Sequence, residues 1–324
     1  MKVSVIVPVF KVERYIERCV RSLMEQTFDD VEFIFVDDAS PDQSMEIVKR
    51  VTDEYPRNVR FLVHERNRGL PAARNTGLEA AQGEFIYHCD SDDWPEPTML
   101  EKMVEAADAV GADFAYCDYY LSFANKERWI YQPTYSDSME MLERGFLAGM
   151  IKYNVWNKLV RRRLYLDYGF RSPEKHNKGG EDLMMVKVLR MANRVIHVPE
   201  ALYHYNRTND NAITKTRSEK HFLDIKANSD DVIQYLTQHA IPHPEYLEFF
   251  KLNQKLPFLF SQNRHQYQLW REWYPEANSY IHLNKEWPFR TRMVQHWAKL
   301  HLFLLVRMYG WTVDHLFYGL LFRR

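Results

Sequence analysis

Cysteine is nearly absent from this chain: Cys19, Cys89 and Cys117 are the whole supply in 324 residues. They stand far apart, are odd in number and form no CxxC or Cys/His spacing, so no zinc site is indicated. They read as reduced thiols filling core space in a cytosolic protein, and none has the paired histidine that a catalytic thiol needs. Charge of one sign is also lacking. Lys and Arg number 43 against 44 Asp and Glu, a net charge of -1. That gives no global bias toward nucleic acid or acidic partners, so any electrostatic function is local. There is no run of about eighteen apolar residues, so no transmembrane helix is expected. The opening MKVSVIVPVF is too short for a signal sequence and lacks a small-residue cleavage site, so the fold is expected to begin at residue 2. Internal repeats and low-complexity tracts are absent. No glycine occurs in PVFKVERY after the first strand, which removes a nicotinamide-dependent Rossmann enzyme from consideration.

What is present is a legible alternation. Apolar residues make up 46% of the chain, enough for a real core. The length suits a main domain, residues 1–215, and a helical, aromatic-rich and basic extension, 216–324. Strands are predicted at 3–9, 31–38, 59–63, 84–90 and 113–120. Helices are predicted at 13–27, 42–55, 70–82 and 96–110, with Gly83 as a stop. Helices are expected again at 136–150, at 155–168 and after the Gly-Gly of 175–193, then one or two strands over 195–207. Alternation of this kind implies an α/β fold with a mostly parallel sheet flanked by helices. Ligands of such sheets bind beyond the carboxyl ends of the strands, where four polar loops would gather.

One of those loops is acidic. Residues 84–94 read EFIYHCDSDDW, a strand that ends in Asp90, Ser91, Asp92 and Asp93. Carboxylates this close repel, and none is buried cheaply without a partner. A pair spaced i, i+2 at a strand end can share a divalent cation. Hard oxygen ligands suit magnesium or manganese, with water and substrate phosphates completing the shell. The plain alternative is a loop whose aspartates cap the next helix, with Asp93 placed to do so. For an isolated DxD that alternative is stronger, but three further features count against it. VDDAS (36–40), followed by Asp42, is a second acidic loop suited to a base or ribose. In ERNRGLPAARNTG (65–77), Asn67 and Gly69 suit a tight turn, and Arg74 and Asn75 can reach an acidic cluster. PVF, DDAS, NRGxxxARN and DSDD also close strands one to four in order.

As an ordered set over about 100 residues, extended by GGEDLMMVKVL, these motifs resemble family 2 glycosyltransferases of the GT-A, Rossmann-like fold. The resemblance implies an inverting, nucleotide-sugar-dependent enzyme of hexosyltransferase type, with a UDP-sugar favoured as donor and Mn2+ or Mg2+ as cofactor. It implies that Pro8, Val9, Phe10 and Glu13 flank the nucleotide, and that Asp38 contacts the uracil with Asp42 nearby. Asn67, Gly69 and Arg74 would line the base and ribose side. Asp90, with Ser91 beside it, would approach the ribose or sugar, and Asp92 would ligate the metal. Glu181-Asp182 matches the family's ED motif, which supplies the catalytic base; Asp182 is the first choice and Glu181 the other. Two acids at a helix start also suit the helix dipole without any catalytic role. The chain departs from the family pattern at Lys11, where many members have Asn, and at Ala39, where Gly is common.

The chemistry of the residues agrees. A single displacement at the anomeric carbon needs a base for the acceptor hydroxyl and a stabilised diphosphate leaving group. His204 is a candidate third metal ligand or phosphate donor, although a lone histidine is more often structural. Arg207 is a candidate partner of the diphosphate, and Asn209–Thr214 a candidate closing loop. Trp156-Asn157-Lys158-Leu159 resembles a segment near the acceptor side, with packing of a helix start as its bland alternative. The expected acceptor is a cell-surface glycan or lipid-linked oligosaccharide. Residues 285–324 carry seven Lys or Arg, two acids and nine aromatics. That pattern fits peripheral contact with the inner face of the membrane, or else a packing helix or homodimer contact with snorkelling arginines. Two rivals remain. A haloacid-dehalogenase-like phosphatase would have its DxD on the first strand, not the fourth, and Thr or Val where Asp93-Trp94 stands. A non-catalytic glycosyltransferase-like scaffold would lack the metal acid or the base, yet Asp92 and Asp182 are both present.

Overall fold

The computed structural model describes residues 1–175, 179–209, 218–261 and 263–313. The chain forms two compact units: Met1–Met141 with Tyr153–Val232, and Leu142–Lys152 with Ile233–Arg324. The first unit opens with β1 (Val3–Val9), α1 (Ile16–Met24), β2 (Val31–Asp37), α2 (Ser44–Thr52), β3 (Asn58–Val63), α3 (Leu70–Ala80) and β4 (Phe85–His88). These follow the sequence-based expectation closely. β1 is buried at every position because it pairs in parallel with both β2 and β4. Pro8 is tolerated there because it lies beyond the last β1–β4 pair, Ile6↔His88. α1 buries Ile16, Cys19, Val20, Leu23 and Met24, the stripe its spacing predicts. It packs with α2 on the face carrying Val5, Val7 and Val9. α3 covers the opposite face closely enough that a Cβ on Gly77 would stand 2.4 Å from Ile6 Cγ2.

The second half of this unit differs from the reading by alternation. It contains β5 (Trp94–Pro95), α4 (Met99–Val110), β6 (Phe114–Ser122), β7 (Glu127–Ile130) and α5 (Ser138–Glu140), which runs into a π-helical turn at Met141–Leu147. Then come β8 (Lys158–Arg161), α6 (Arg163–Asp167), α7 (Gly180–Met191) and β9 (Val195–Asn206). The helix expected over 155–168 is therefore a strand followed by a short helix. β8 lies between β4 and β6, and Leu159 and Val160 are both buried there, so no alternation marks it as a strand. Among the described residues the strands form one sheet in the order β3-β2-β1-β4-β8-β6-β9-β5, with β7 paired to β6. It is parallel through β3-β2-β1-β4 and at β6–β9, and antiparallel where β8, β7 and β5 join. Cys19, Cys89 and Cys117 are all buried and free.

α8 (Glu219–Gln238) leads into the second unit, which holds α9 (Glu245–Lys255), α10 (Arg264–Glu272), α11 (Phe289–Lys299) and α12 (Phe303–Thr312). No helix among the described residues is long and apolar enough to cross a membrane. Lys255 sits in the core of this unit. Its ammonium donates to the carbonyls of Trp273 at 2.8 Å and Tyr274 at 3.1 Å and to Asn278 Oδ1 at 2.7 Å, and lies 4.5 Å from the Trp270 ring centre. Burial lowers it from 10.5 to about 7, against the pull of Glu276 and Glu248. A lysine whose folded value is depressed binds fewer protons than in the unfolded chain, so stability rises with pH across that interval. Chemical unfolding of this unit should therefore show stability climbing from about pH 7 toward 10.5. In Lys255→Met that climb should vanish.

Candidate functional site

The loops after β1 to β4 are tied to one another by their own polar groups. Asp38 N–H donates to Val9 O (3.0 Å), Lys11 N–H to Ser40 Oγ (2.8 Å) and Val12 N–H to Ser44 Oγ (3.0 Å). Asp42 collects the hydroxyls of Ser40 and Ser44, both at 2.6 Å, and the N–H of Glu13 at 3.2 Å. Burial works against its charge, but these bonds together outweigh it and hold the carboxyl below its usual range. Glu13 in turn accepts from Gln43 N–H at 3.3 Å. Pro8 and Val9 are the buried end of β1, and Phe10 is partly exposed beyond them. Lys11 and Ala39, the two departures from the family pattern, have φ of 53° and 57°. The left-handed region favours glycine and asparagine, so both positions carry backbone strain.

Asp38 is the hub of the third loop. Its carboxylate, buried at 3% exposure, accepts the N–H groups of Arg68 and Gly69, each at 2.8 Å, and lies 2.7 Å from His64 Nδ1. Its carbonyl faces Asn67 Nδ2 at 3.4 Å. The residue expected at the base thus shapes the turn that presents exposed Asn67 and Gly69. The arginine and asparagine at the start of α3 diverge from there. Arg74, 2% exposed, pairs with Asp90. Asn75 instead grips the irregular segment between α6 and α7, exchanging bonds with Ser172 O (2.9 Å) and Ser172 N–H (2.8 Å) and donating to Glu174 (3.1 Å).

In the acidic loop the three aspartates have separate tasks. Asp93 does not cap a helix; α4 begins after Thr98. Its buried carboxylate accepts from Tyr203 Oη (2.8 Å) and Asn206 N–H (2.7 Å) on β9. Burial, then Asp92 and Asp90, push its pKa well up. Asp90 keeps a quarter of its side chain exposed beside Arg74, and Ser91 is buried. Asp92 accepts from Asn209 Nδ2 at 2.6 Å. Burial and then the neighbouring Asp90 raise it from 3.8 to about 6. A carboxylate destabilised by its own surroundings in this way is relieved by a cation, so the oxygens of Asp92 and Asp90 fit a hard divalent ion. Among the described residues no group of three or more His, Cys, Asp or Glu is arranged around such an ion.

His204 belongs to a different structure. Its Nε2 lies 2.7 Å from Glu96 and its Nδ1 2.8 Å from Glu127, so both nitrogens expected for a metal or phosphate have protein partners. The ring is stacked between Trp94 (5.0 Å) and Tyr120 (4.8 Å), and the Arg18 guanidinium caps the far face of Trp94 at 3.2 Å. This cross-strand row fixes the chain immediately after the acids. Arg207 lies over Tyr205 at 5.5 Å. Trp156 lies in the turn before β8 rather than at a helix start and stacks on Tyr203 at 4.6 Å. Glu181 and Asp182 lie in the first turn of α7, and their side chains fall outside the described residues, as do residues 210–214 of the expected closing loop. The glycines before that pair are demanded locally. Gly179 has φ 72°, and a Cβ on Gly180 would stand 2.2 Å from Pro173 Cγ. Sequence reasoning missed Tyr203 and Asn206, and named Asn209 only as the start of a closing loop; the alternating Tyr203/Tyr205 of LYHYN was the available signal.

A model of the family described as Glycosyl transferase family 2 matches residues 4–175. The chain is 33% identical over 222 residues to the uncharacterized glycosyltransferase EpsJ of Bacillus subtilis (strain 168), covering 66% of this chain and 63% of that one. It is 35% identical over 213 residues to the putative glycosyltransferase EpsH of the same organism, covering 63% and 60%. The matched part thus spans about three-fifths of these relatives. Among solved structures, S. aureus TarS 1-349 in complex with UDP-GlcNAc is similar in fold: TM-score 0.69 and 21% identity over 97% of this chain and 92% of that chain.

Two outcomes test the loop geometry. Asp38→Ala strands the Arg68 and Gly69 donors and should cost about 3 kcal/mol in urea unfolding, with Asp38→Asn costing less. Ala39→Gly relieves a left-handed alanine and should add about 0.5–1 kcal/mol after the entropy cost of glycine.

Proposed function

The chain belongs to glycosyl transferase family 2, and from that premise we propose that it moves a sugar from a UDP-sugar to a hydroxyl of a cell-surface glycan or lipid-linked oligosaccharide, with inversion. The observation that carries this is the interlocked loop edge ending in the acidic loop, where Asp92 is poised beside Asp90 for a cation. The complexes of TarS with UDP-GlcNAc and with UDP support a uridine donor for a chain of the same fold. Asp92, with Asp90 near it, would hold Mn2+ or Mg2+ when bound, and the ion would neutralise charge developing on the leaving diphosphate. Asn67, which is exposed, and the partly exposed Gly69 and Phe10 would receive the nucleoside. Arg74 holds Asp90 in place.

The acceptor hydroxyl loses its proton to Asp182, or to Glu181, as its oxygen bonds to the anomeric carbon and the bond to the diphosphate breaks. That pair falls in the first turn of α7, directly after Gly179 and Gly180. Such an acceptor would be met at the inner face of the membrane.

Purified protein incubated with a panel of nucleotide sugars should release nucleoside diphosphate from a UDP-sugar only when Mn2+ or Mg2+ is present. Asp92→Asn should reduce that release about a hundredfold, and Asp182→Asn should abolish transfer while leaving UDP binding intact. Absence of UDP binding by calorimetry with manganese would overturn the donor assignment. Binding without turnover on any glycan acceptor would favour a non-catalytic scaffold.

A further inference from the structure

The second unit contains a cleft of about 840 Å³. α10 places Arg264, Tyr267, Gln268 and Arg271 on it at i, i+3, i+4 and i+7, and α12 adds Phe303, Leu304 and Arg307. Three guanidiniums thus surround it against one carboxylate, Glu272, which already accepts from Gln268 Nε2 at 2.8 Å. Tyr267 supplies the second observation. It is 7% exposed and stacked on Phe303 with ring centres 5.2 Å apart, and its hydroxyl is buried with no hydrogen-bond partner. A buried hydroxyl left unbonded is costly, and the cleft that Tyr267 lines also carries three arginines, the side chains best shaped for phosphate oxygens.

The cleft opens onto an apolar surface. α12 turns Val306 and Gly310 inward, yet leaves Leu304, Leu305, Met308 and Trp311 exposed. Leu304 belongs to both features: it lines the cleft and is 71% exposed. A contiguous apolar patch beside arginines is not needed for a soluble anion. It matches a molecule whose phosphate and hydrocarbon are joined.

We propose that the cleft between α10 and α12 binds the phosphate of an anionic membrane lipid while the exposed face of α12 seats in the acyl layer. This site belongs to the second unit and does not depend on the transferase reading. It adds a surface at which a lipid-linked acceptor would be met.

The full chain is sedimented with vesicles of phosphatidylcholine, with and without phosphatidylglycerol. It should pellet with the anionic vesicles alone, and salt should release it. Arg264→Gln, Arg271→Gln and Arg307→Gln should each weaken binding about fivefold. Tyr267→Phe keeps the ring stack and should weaken anionic binding as well, and Trp311→Ala should weaken it through the apolar face. Equal binding to neutral vesicles, no binding to either, or arginine variants that bind as the wild type does would overturn the proposal. Calorimetric binding of inorganic phosphate without vesicle binding would make this a soluble-anion site, and self-association abolished by Trp311→Ala without vesicle binding would make α12 a contact between copies; either result overturns it. Circular dichroism confirms that each variant is folded. UDP titration reports separately on the first unit, so failure of the donor reading leaves this test intact.

Discussion

A carboxyl group at 1% exposure, set between the hydroxyl of Tyr203 and the backbone N–H of Asn206, holds the end of β4 to β9. Everything the acidic loop does follows from it. Burial and its acidic neighbours push the pKa of Asp93 up, and the two bonds from β9 make it the loop's anchor. Asp90 is balanced by Arg74, which is itself buried. Asp92 is left with most of the unrelieved charge. Three like residues in four positions thus become an anchor, a paired acid and a poised acid. In the proposed reading it is the last that recruits the cation, with the paired acid beside it.

The same division appears one loop away. Asp38 gathers two backbone donors and a histidine, a role that shapes the turn on which Asn67 and Gly69 are displayed. Asp42 does the corresponding work between the loops after β1 and β2. The acids of this edge therefore act first on the chain itself. Lys11 and Ala39 show how firmly: both keep a left-handed backbone that their side chains disfavour, because the surrounding bonds over-determine it.

Those roles bound what could be read in advance. Strands one to four and the helices between them were legible because each strand is a run of apolar and β-branched residues followed by a polar loop, and β1, β2 and β4 are almost wholly buried. β5 is two residues long, β7 is exposed, and β8 is hemmed between two strands, so none carries a period. At the site, the motif order located the loops correctly. It could not tell an aspartate that anchors from one that would bind, since the difference lies in Tyr203 and Asn206, more than a hundred residues away. His204 was misleading for a related reason. As a lone histidine near an acidic loop it suggested a ligand, while its actual partners, Glu96 and Glu127, come from separate strands and loops that only the folded sheet brings together.

Near the C-terminus the ambiguity has another origin. α12 is apolar on nearly every side, so its sequence offers no polar face to mark the solvent. A helix of that kind belongs inside a core or at an apolar boundary. Val306 and Gly310 satisfy the first condition, and Leu304, Met308 and Trp311 violate it. One inward stripe is enough to hold the helix to its unit. The outward stripe contributes nothing to that packing and invites aggregation when left in water. Its retention beside three arginines and a buried, unbonded tyrosine hydroxyl is most simply understood if the outer face is covered by something both apolar and anionic.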